Sequence, residues 1–175
     1  MRRLLQGIRQ KKDLNDLISS PSSIQIYHHI PFPLNDLLGV LYPLFGSYYP
    51  FEEFLHMIYT VHHIFCAYDI VQNRCVGCAL LNNTDNTNQS IYIMLFGVQQ
   101  TNQNQGVGTY LLQTVIQWAH QAGYQHIHLD VFVENYKAIG LYEKVGFQKY
   151  KFLPNYYIHT SKRPPHAIRM VLSFV

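Results

Sequence analysis

Residues 90–119 read SIYIMLFGVQQTNQNQGVGTYLLQTVIQWA, and this stretch decides the fold. Its first nine residues are mostly β-branched, aromatic or otherwise apolar, which predicts a β-strand over 90–98. Apolar residues from Val107 onward recur at helical spacing, which predicts a helix that begins after Gly106 and ends near Gly123. A strand, a glycine-containing loop and a helix therefore follow one another directly.

The loop over residues 98–109 predicts an anion site. Its glycines let backbone N–H groups approach a ligand closely, and the helix N-terminus that follows favours a group such as a pyrophosphate. A dinucleotide-binding fingerprint would need glycine in place of Leu111, and a P-loop would need Gly-Lys-Ser or Gly-Lys-Thr. The loop therefore belongs to neither of these two classes.

The remaining elements are predicted by working outward from this stretch. The pattern predicts one strand before it, two short helices, a hairpin and, after it, further strands around one more helix. The additional strands are predicted at 24–28, 64–69, 76–81, 126–132, 148–152 and 167–175, and the additional helices at 33–45, 51–60 and 135–145.

Composition indicates a folded chain. Of the 175 residues, 48% are apolar and 13% are charged, which excludes a disordered or acidic solvating segment. Every hydrophobic stretch is interrupted within eighteen residues by Asn, Gln, His or Pro, so we predict no transmembrane helix.

The net charge of +3 comes from the N-terminus. Five of the thirteen basic residues precede the first acid, Asp13, whereas the rest of the chain contains eight basic and ten acidic residues. Residues 1–23 form a predicted basic amphipathic helical arm. Residues 24–175 form the predicted domain.

Three functions fit this arm. An Arg-rich amphipathic N-terminus is typical of mitochondrial presequences, and it also suits a membrane surface or nucleic acid. The third alternative is a helix that packs on its own domain. We predict a protein partner attached through residues 1–20, and a cytoplasmic location with a mitochondrial one as the alternative.

The three cysteines predict reduced thiols without a metal. Their number is odd and no apolar signal core precedes them, so a disulfide framework is not expected. Cys75 and Cys78 have CxxC spacing, but no second ligand pair stands at zinc-site spacing. We predict a buried strand with one of these two cysteines on each face.

The motif Gln103-x-x-Gly106-x-Gly108 resembles the Gln/Arg-x-x-Gly-x-Gly/Ala motif of the GNAT acetyltransferases, whose loop holds the pyrophosphate of acetyl-CoA. Three further stretches are similar to the catalytic subunits of NatE and NatF type N-terminal acetyltransferases, and the similarity is dense from Tyr92 to Tyr157. These stretches are 91–97, 135–147 and 155–157.

The resemblance implies a fold and an activity. The fold would be α/β (α+β), with a central mixed, mostly antiparallel sheet of six to seven strands, about four flanking helices and the N-terminal helical arm. The activity would be acetyl transfer from acetyl-CoA to the N-terminal α-amino group of a peptide or protein, by direct attack on the thioester.

The resemblance also implies the residues that bind acetyl-CoA. Phe96 and Val98 would offer backbone groups to the pantetheine and the thioester oxygen, and Asn135 would contact the cofactor arm. Tyr142 would contact the cofactor and protonate the departing thiolate, because a tyrosine of ordinary pKa near 10 is a donor at neutral pH. The loop residues are Gln103, Asn104, Gln105, Gly106, Val107, Gly108 and Thr109.

The implied base departs from the family pattern. Tyr92 matches a tyrosine that orders a water together with a histidine on the next strand. Asp130 stands in place of that histidine, and His128 lies two residues away on the same strand face. Asp130 through a water, or His128 directly, would serve as the base.

A modest base suffices for an α-amine. With a pKa near 7.8, about one α-amine in seven is neutral at pH 7, against about one in 2,500 for a lysine near 10.4. This difference corresponds to about 3.5 kcal/mol.

The implied peptide groove is aromatic and favours an apolar first residue such as methionine. The resemblance places Tyr49, Pro50 and Phe51 on one side and Tyr156 and Tyr157 on the other. Two alternatives stay open: a catalytically degenerate scaffold subunit, indicated by the missing histidine and the uncharged loop, and an acetyltransferase for lysine or a small amine.

Overall fold

The computed structural model describes residues 20–28, 32–84, 89–158, 160 and 162–174. Within these ranges lie seven strands and four α-helices. The strands are β1 Ile24–His28, β2 His63–Asp69, β3 Arg74–Asn83, β4 Ser90–Val98, β5 His126–Phe132, β6 Gln148–Leu153 and β7 Ala167–Ser173. The helices are α1 Leu34–Phe45, α2 Phe51–Thr60, α3 Val107–Gln121 and α4 Tyr136–Lys144.

The strands form one sheet in the order β1-β2-β3-β4-β5-β7-β6. Neighbours are antiparallel except β4 and β5, which are parallel because α3 carries the chain back between them. The predicted mixed, mostly antiparallel sheet with about four helices is confirmed. The β2–β3 hairpin extends beyond its predicted ends, since β3 is paired on both sides.

The parallel pair β4 and β5 separates part-way along its length. Ser90 to Ile93 pair with His126 to Leu129, and the pairing stops there. On its other side, β4 stays paired with β3 as far as Val98. The second half of β4 therefore has an open edge facing β5, and a cleft forms between the two strands.

Two apolar layers hold the sheet. The apolar residues that the sequence predicts along α3 are buried against one face of the sheet, together with Tyr142 of α4. Burial of each leucine or valine among them contributes about 1.5–3 kcal/mol of transfer free energy. Helices α1 and α2 cover the other face through Leu37, Leu41 and Phe54. The cleft thus lies between two helical layers.

The predicted placement of the CxxC cysteines is wrong. A β-bulge pairs Ala67 with Gly77 but Tyr68 with Cys75, so strand alternation shifts by one residue. Cys75 therefore shares a face with Cys78, and their sulfurs lie 3.4 Å apart. The Cys66 sulfur lies 3.8 Å from that of Cys78, and all three thiols are buried beneath α1 and α2.

Most of the predicted arm lies outside the described residues, which begin at position 20. The arm's helix and the division at residue 23 stay predictions. Among the described helices, none has the length and apolar character required to cross a membrane.

Candidate active site

The loop before α3 forms a cradle at one end of the cleft. Gly106 is the N-cap of α3 in the left-handed conformation, with φ of 83°, which favours glycine. A Cβ on Gly108 would lie 3.5 Å from Leu141 Cδ2 and 3.6 Å from Val98 Cγ2. Both glycines line the cleft, and neither carries a side chain that would cover the backbone, as an anion at a helix N-terminus requires.

Gln103 ties the loop to two other elements. Its Nε2 donates to the carbonyl oxygen of Val98 at 2.9 Å, and its Oε1 accepts from Lys137 Nζ at 2.7 Å. The first bond fixes the loop to the end of β4, and the second brings a cation to the cradle. Lys137 was not predicted, although its place in the first turn of α4 could have indicated it.

The cleft has a volume of about 580 Å³ and runs between β4 and β5. Twelve of the predicted site residues line it, namely Tyr49, Phe96, Val98, Gln103, Asn104, Gly106, Gly108, Thr109, Asp130, Asn135, Tyr142 and Tyr157. Residues that the sequence did not point to also line it, among them Tyr48, Phe132, Lys137, Lys144 and Lys162.

Seven of the predicted residues lie outside the lining. Tyr92, His128 and Tyr156 form a group beside Asp130, and the other four lie outside the lining for clear reasons. Pro50 is the N-cap of α2, and the half-exposed Phe51 packs edge-on against Tyr42. Gln105 donates from its side chain to the carbonyl of Thr101, and the side chain of Val107 is in the core. The structure does not bring these side chains together at the cleft.

Tyr142 is held between the core and the cleft. Its ring meets Phe96 edge-on, with centroids 6.2 Å apart, and only 7% of the residue is exposed. Burial raises the pKa of Tyr142 well above its ordinary value. The hydroxyl therefore keeps its proton at neutral pH and is available as a donor. Asn135, close by, caps α4 by accepting from the Ala138 N–H.

Asp130 has a partner that the sequence did not reveal. Its two carboxylate oxygens accept from Nε and Nη2 of Arg169, both at 2.8 Å. The two residues are directly opposite in the β5–β7 register, so only knowledge of that pairing could have predicted the contact. The Tyr92 hydroxyl lies 3.4 Å from the same carboxylate and 3.5 Å from the Tyr156 hydroxyl.

His128 lies beside this group, with its ring centroid 5.3 Å from that of Tyr92. Burial, followed by the positive charge of Arg169, lowers the pKa of His128. The pKa of Tyr92 is raised, mainly by burial. At neutral pH the pair is therefore an uncharged imidazole that can accept a proton and a tyrosine that keeps its own.

Aromatic rings line the opposite end of the cleft from the cradle. Tyr157 meets Tyr156 edge-on at 5.0 Å and Phe132 at 6.1 Å. Burial raises the pKa of Tyr49 and of Tyr157, so both hydroxyls stay neutral. This end can hold an apolar side chain and donate hydrogen bonds to a peptide backbone.

A parallel strand pair that separates, with an anion cradle at the start of the helix between the two strands, is the arrangement expected of an acyltransferase that uses an acyl-CoA donor. The chain belongs to the acetyltransferase (GNAT) family, whose model matches residues 33–147. This confirms the resemblance seen in the sequence. Acetyl-CoA is accordingly the acetyl donor, and the open backbone at Gly106 and Gly108 fits it.

Two relatives are N-alpha-acetyltransferases. N-alpha-acetyltransferase 30 of Schizosaccharomyces pombe is 28% identical over 116 residues, which cover 63% of this chain and 75% of that protein. N-alpha-acetyltransferase 50 of Danio rerio is 28% identical over 96 residues, covering 54% and 56% respectively. The match thus spans little more than half of the second relative's length.

Solved structures share the fold. A GNAT family acetyltransferase from Elizabethkingia anophelis with acetyl-CoA bound has a TM-score of 0.72 at 20% identity, over 87% of this chain and 99% of that one. Ard1 from Thermoplasma volcanium has a TM-score of 0.70, also at 20% identity and with the same coverage of both chains.

Proposed function

We propose that this protein acetylates the N-terminal α-amino group of peptides or proteins. The observation that carries the proposal is the separation of β4 from β5 beyond Ile93. It joins the anion cradle at one end of the cleft to an aromatic groove at the other. Relatives named N-alpha-acetyltransferases support the same acceptor class.

The donor end would be held by this chain's backbone and one cation. N–H groups around Gly106 and Gly108 and the N-terminus of α3 would face its pyrophosphate, and Lys137 would add a positive charge. The bound donor supplies an acetyl group activated as a thioester. The open edge of β4 would offer backbone hydrogen bonds to it, and Tyr142 would donate a proton to the leaving sulfur.

On the acceptor side, His128 is the better base. Both oxygens of Asp130 already accept from Arg169, whereas the His128 imidazole is kept neutral by its surroundings. His128 would take the amine proton directly or through a water ordered by Tyr92. The Asp130–Arg169 pair would hold the Tyr92 hydroxyl in place. Because an α-amine is partly neutral at pH 7, this modest base is adequate.

The groove favours an apolar first residue. Tyr49, Phe132 and Tyr157 present ring faces and edges at this end of the cleft. A methionine side chain would pack among these rings, and sulfur–aromatic contacts contribute about 0.3–1.5 kcal/mol.

A peptide panel tests the proposal. Purified protein is given acetyl-CoA with a Met-Leu-initiated peptide, with the same peptide N-terminally blocked but carrying an internal lysine, and with spermidine. We expect acetylation of the free N-terminus at least tenfold faster than of either other amine, with the modified site mapped by mass spectrometry. Faster acetylation of the lysine or of spermidine would overturn the acceptor assignment.

A second candidate is an inactive scaffold subunit, favoured by the engagement of both Asp130 oxygens with Arg169. Calorimetric binding of CoA without turnover of any peptide in the panel would select it.

For the N-terminal arm, we propose that residues 1–20 attach the protein to a partner in the cytoplasm or, alternatively, direct it to mitochondria. Deletion of residues 1–19 should release a co-purifying partner or change the location of a fluorescent fusion; unchanged association and location would contradict this.

A further inference from the structure

The side chain of Lys162 reaches into the acceptor end of the cleft. Its Nζ lies 4.5 Å from the ring centroid of Tyr48 and 4.5 Å from that of Phe132. A cation over two aromatic faces at this distance is attracted by both ring quadrupoles. The ammonium therefore has a defined position in the groove.

At this position the Lys162 ammonium contacts residues from both sides of the groove. Tyr48 belongs to the turn after α1, and Phe132 is the last residue of β5. Phe132 and Asp130 share one strand face, and side chains two residues apart on a strand are about 6.6 Å apart. The Lys162 amine is thus next to the stretch of β5 that carries Asp130.

The backbone around Lys162 is held by its own hydrogen bonds. Its N–H donates to Thr160 Oγ1 at 3.2 Å, and that hydroxyl donates to the Tyr157 carbonyl at 2.8 Å. Arg163 Nη1 donates to the Lys162 carbonyl at 2.6 Å. Within the described part of the chain, neither of the two ion pairs involves Lys162. The aromatic pair therefore holds the protonated amine at this end of the cleft, and no ion pair in the described part of the chain draws it away.

We propose that Lys162 is a modification site of this protein, acetylated in cis by its own cleft. Deprotonated Nζ forms a bond to the acetyl carbon of acetyl-CoA while the carbon–sulfur bond breaks. CoA leaves as the thiol after receiving a proton, and the proton lost from nitrogen passes to solvent. The products are an N-acetyl-lysine and CoA, without any further reactant.

The modification would change the acceptor groove. Acetylation removes a positive charge from the end of the cleft where an α-ammonium must enter, and it ends the two cation–π contacts. The inference rests on the cleft being active in acetyl transfer, as proposed above.

The test uses the full chain with acetyl-CoA and no peptide, followed by quantitative peptide mapping of every lysine. We expect Lys162 to be acetylated at least tenfold faster than the exposed Lys151, with a first-order rate that does not change with protein concentration. Lys162→Arg, which keeps a cation over the rings, should remove this modification. Lys151→Arg, the matched control, should retain it.

The outcomes separate this inference from the proposed function. If the Met-Leu peptide is acetylated while Lys162 is modified no faster than Lys151, the inference is overturned and the function stands. A rate proportional to protein concentration would also overturn acetylation in cis. Modification of Lys162 without peptide turnover would support the inference and overturn the acceptor class. Failure of both reactions would overturn both.

Discussion

Asp130 and Arg169 face each other across β5 and β7 and make two hydrogen bonds of 2.8 Å, one to each carboxylate oxygen. The Asp130 side chain is 1% exposed, whereas that of Arg169 is 37% exposed. The pair is therefore asymmetric: the anion depends on its partner for solvation, and the cation also has water. It occupies the place at which the family pattern suggested a base.

This asymmetry predicts unequal stability losses. Arg169→Met leaves a buried carboxylate without its partner and should cost about 3 kcal/mol, the low end for broken buried pairs. Asp130→Asn keeps the shape and leaves a partly hydrated guanidinium, so we expect about 1 kcal/mol. Urea denaturation of both variants and of the double variant provides the check. Equal losses, or a double variant whose loss equals the sum of the two, would contradict the pairing.

Tyr142→Phe should lower kcat about 100-fold with little change in KM for peptide. General-acid catalysis contributes about 10²–10⁴-fold, and phenylalanine preserves the ring contacts with Phe96 and Phe147. Steady-state release of CoA thiol measures this. Tyr150→Phe, at a position 75% exposed on β6, is the matched control and should behave as wild type. Full activity of Tyr142→Phe would remove the proposed acid.

His128→Asn should flatten the pH dependence of stability. Because the folded-state pKa of His128 is lowered, the unfolded chain takes up this proton first as pH falls below about 6.5. The wild-type free energy of unfolding should therefore decrease more between pH 7.5 and 5.5 than that of the variant. Paired urea titrations at both pH values isolate this histidine, since every other titratable group is common to the two proteins. Identical pH dependence would indicate an unperturbed imidazole.

Local patterns determined most of the fold. The alternation in β4, the helical spacing of α3 and the glycine at position 106 are properties of neighbouring residues, so the sequence predicts the strand, the helix and the cradle between them. The CxxC prediction failed because a single bulge reverses strand alternation, and bulges depend on the partner strand.

Some residues of the site come together only through contacts between distant parts of the chain, which the sequence alone does not show. Arg169 contacts Asp130 only because β7 pairs with β5 in one register, although 39 residues separate the two along the chain. Lys162 enters the cleft through the conformation of the segment between β6 and β7. Neither residue belongs to a motif with a spacing of its own, so only the folded chain brings them to the site.

The three clustered thiols should carry no structural zinc. Structural zinc sites have four ligands, and within the described residues this cluster has three members, Cys66, Cys75 and Cys78. Burial raises the pKa of Cys78, which opposes formation of the thiolate that a metal needs, whereas hydrogen bonds with Cys66 and Cys78 lower the pKa of Cys75. Elemental analysis of protein purified without chelator should find substoichiometric zinc. One zinc per chain, lost in Cys78→Ser but not in the control Ser173→Ala, would show this prediction to be wrong.

Substitutions at the two cradle glycines should separate backbone strain from ligand space. At Gly108 in the first turn of α3, an added Cβ makes ordinary contacts of 3.5 and 3.6 Å, so Gly108→Ala should gain about 0.5–1 kcal/mol of stability and still bind CoA. Gly106→Ala must hold φ near 83° and should lose about 1–2 kcal/mol.

Gly108→Val completes the set, because its two further methyl groups would enter the space between Leu141, Val98 and the cleft. Its affinity for CoA should fall at least tenfold, while its stability without CoA falls less than that of Gly106→Ala. Thermal denaturation with and without CoA measures both quantities on each variant. Undiminished CoA binding by Gly108→Val would place the pyrophosphate elsewhere, because a branched side chain and the ligand cannot occupy the same cradle.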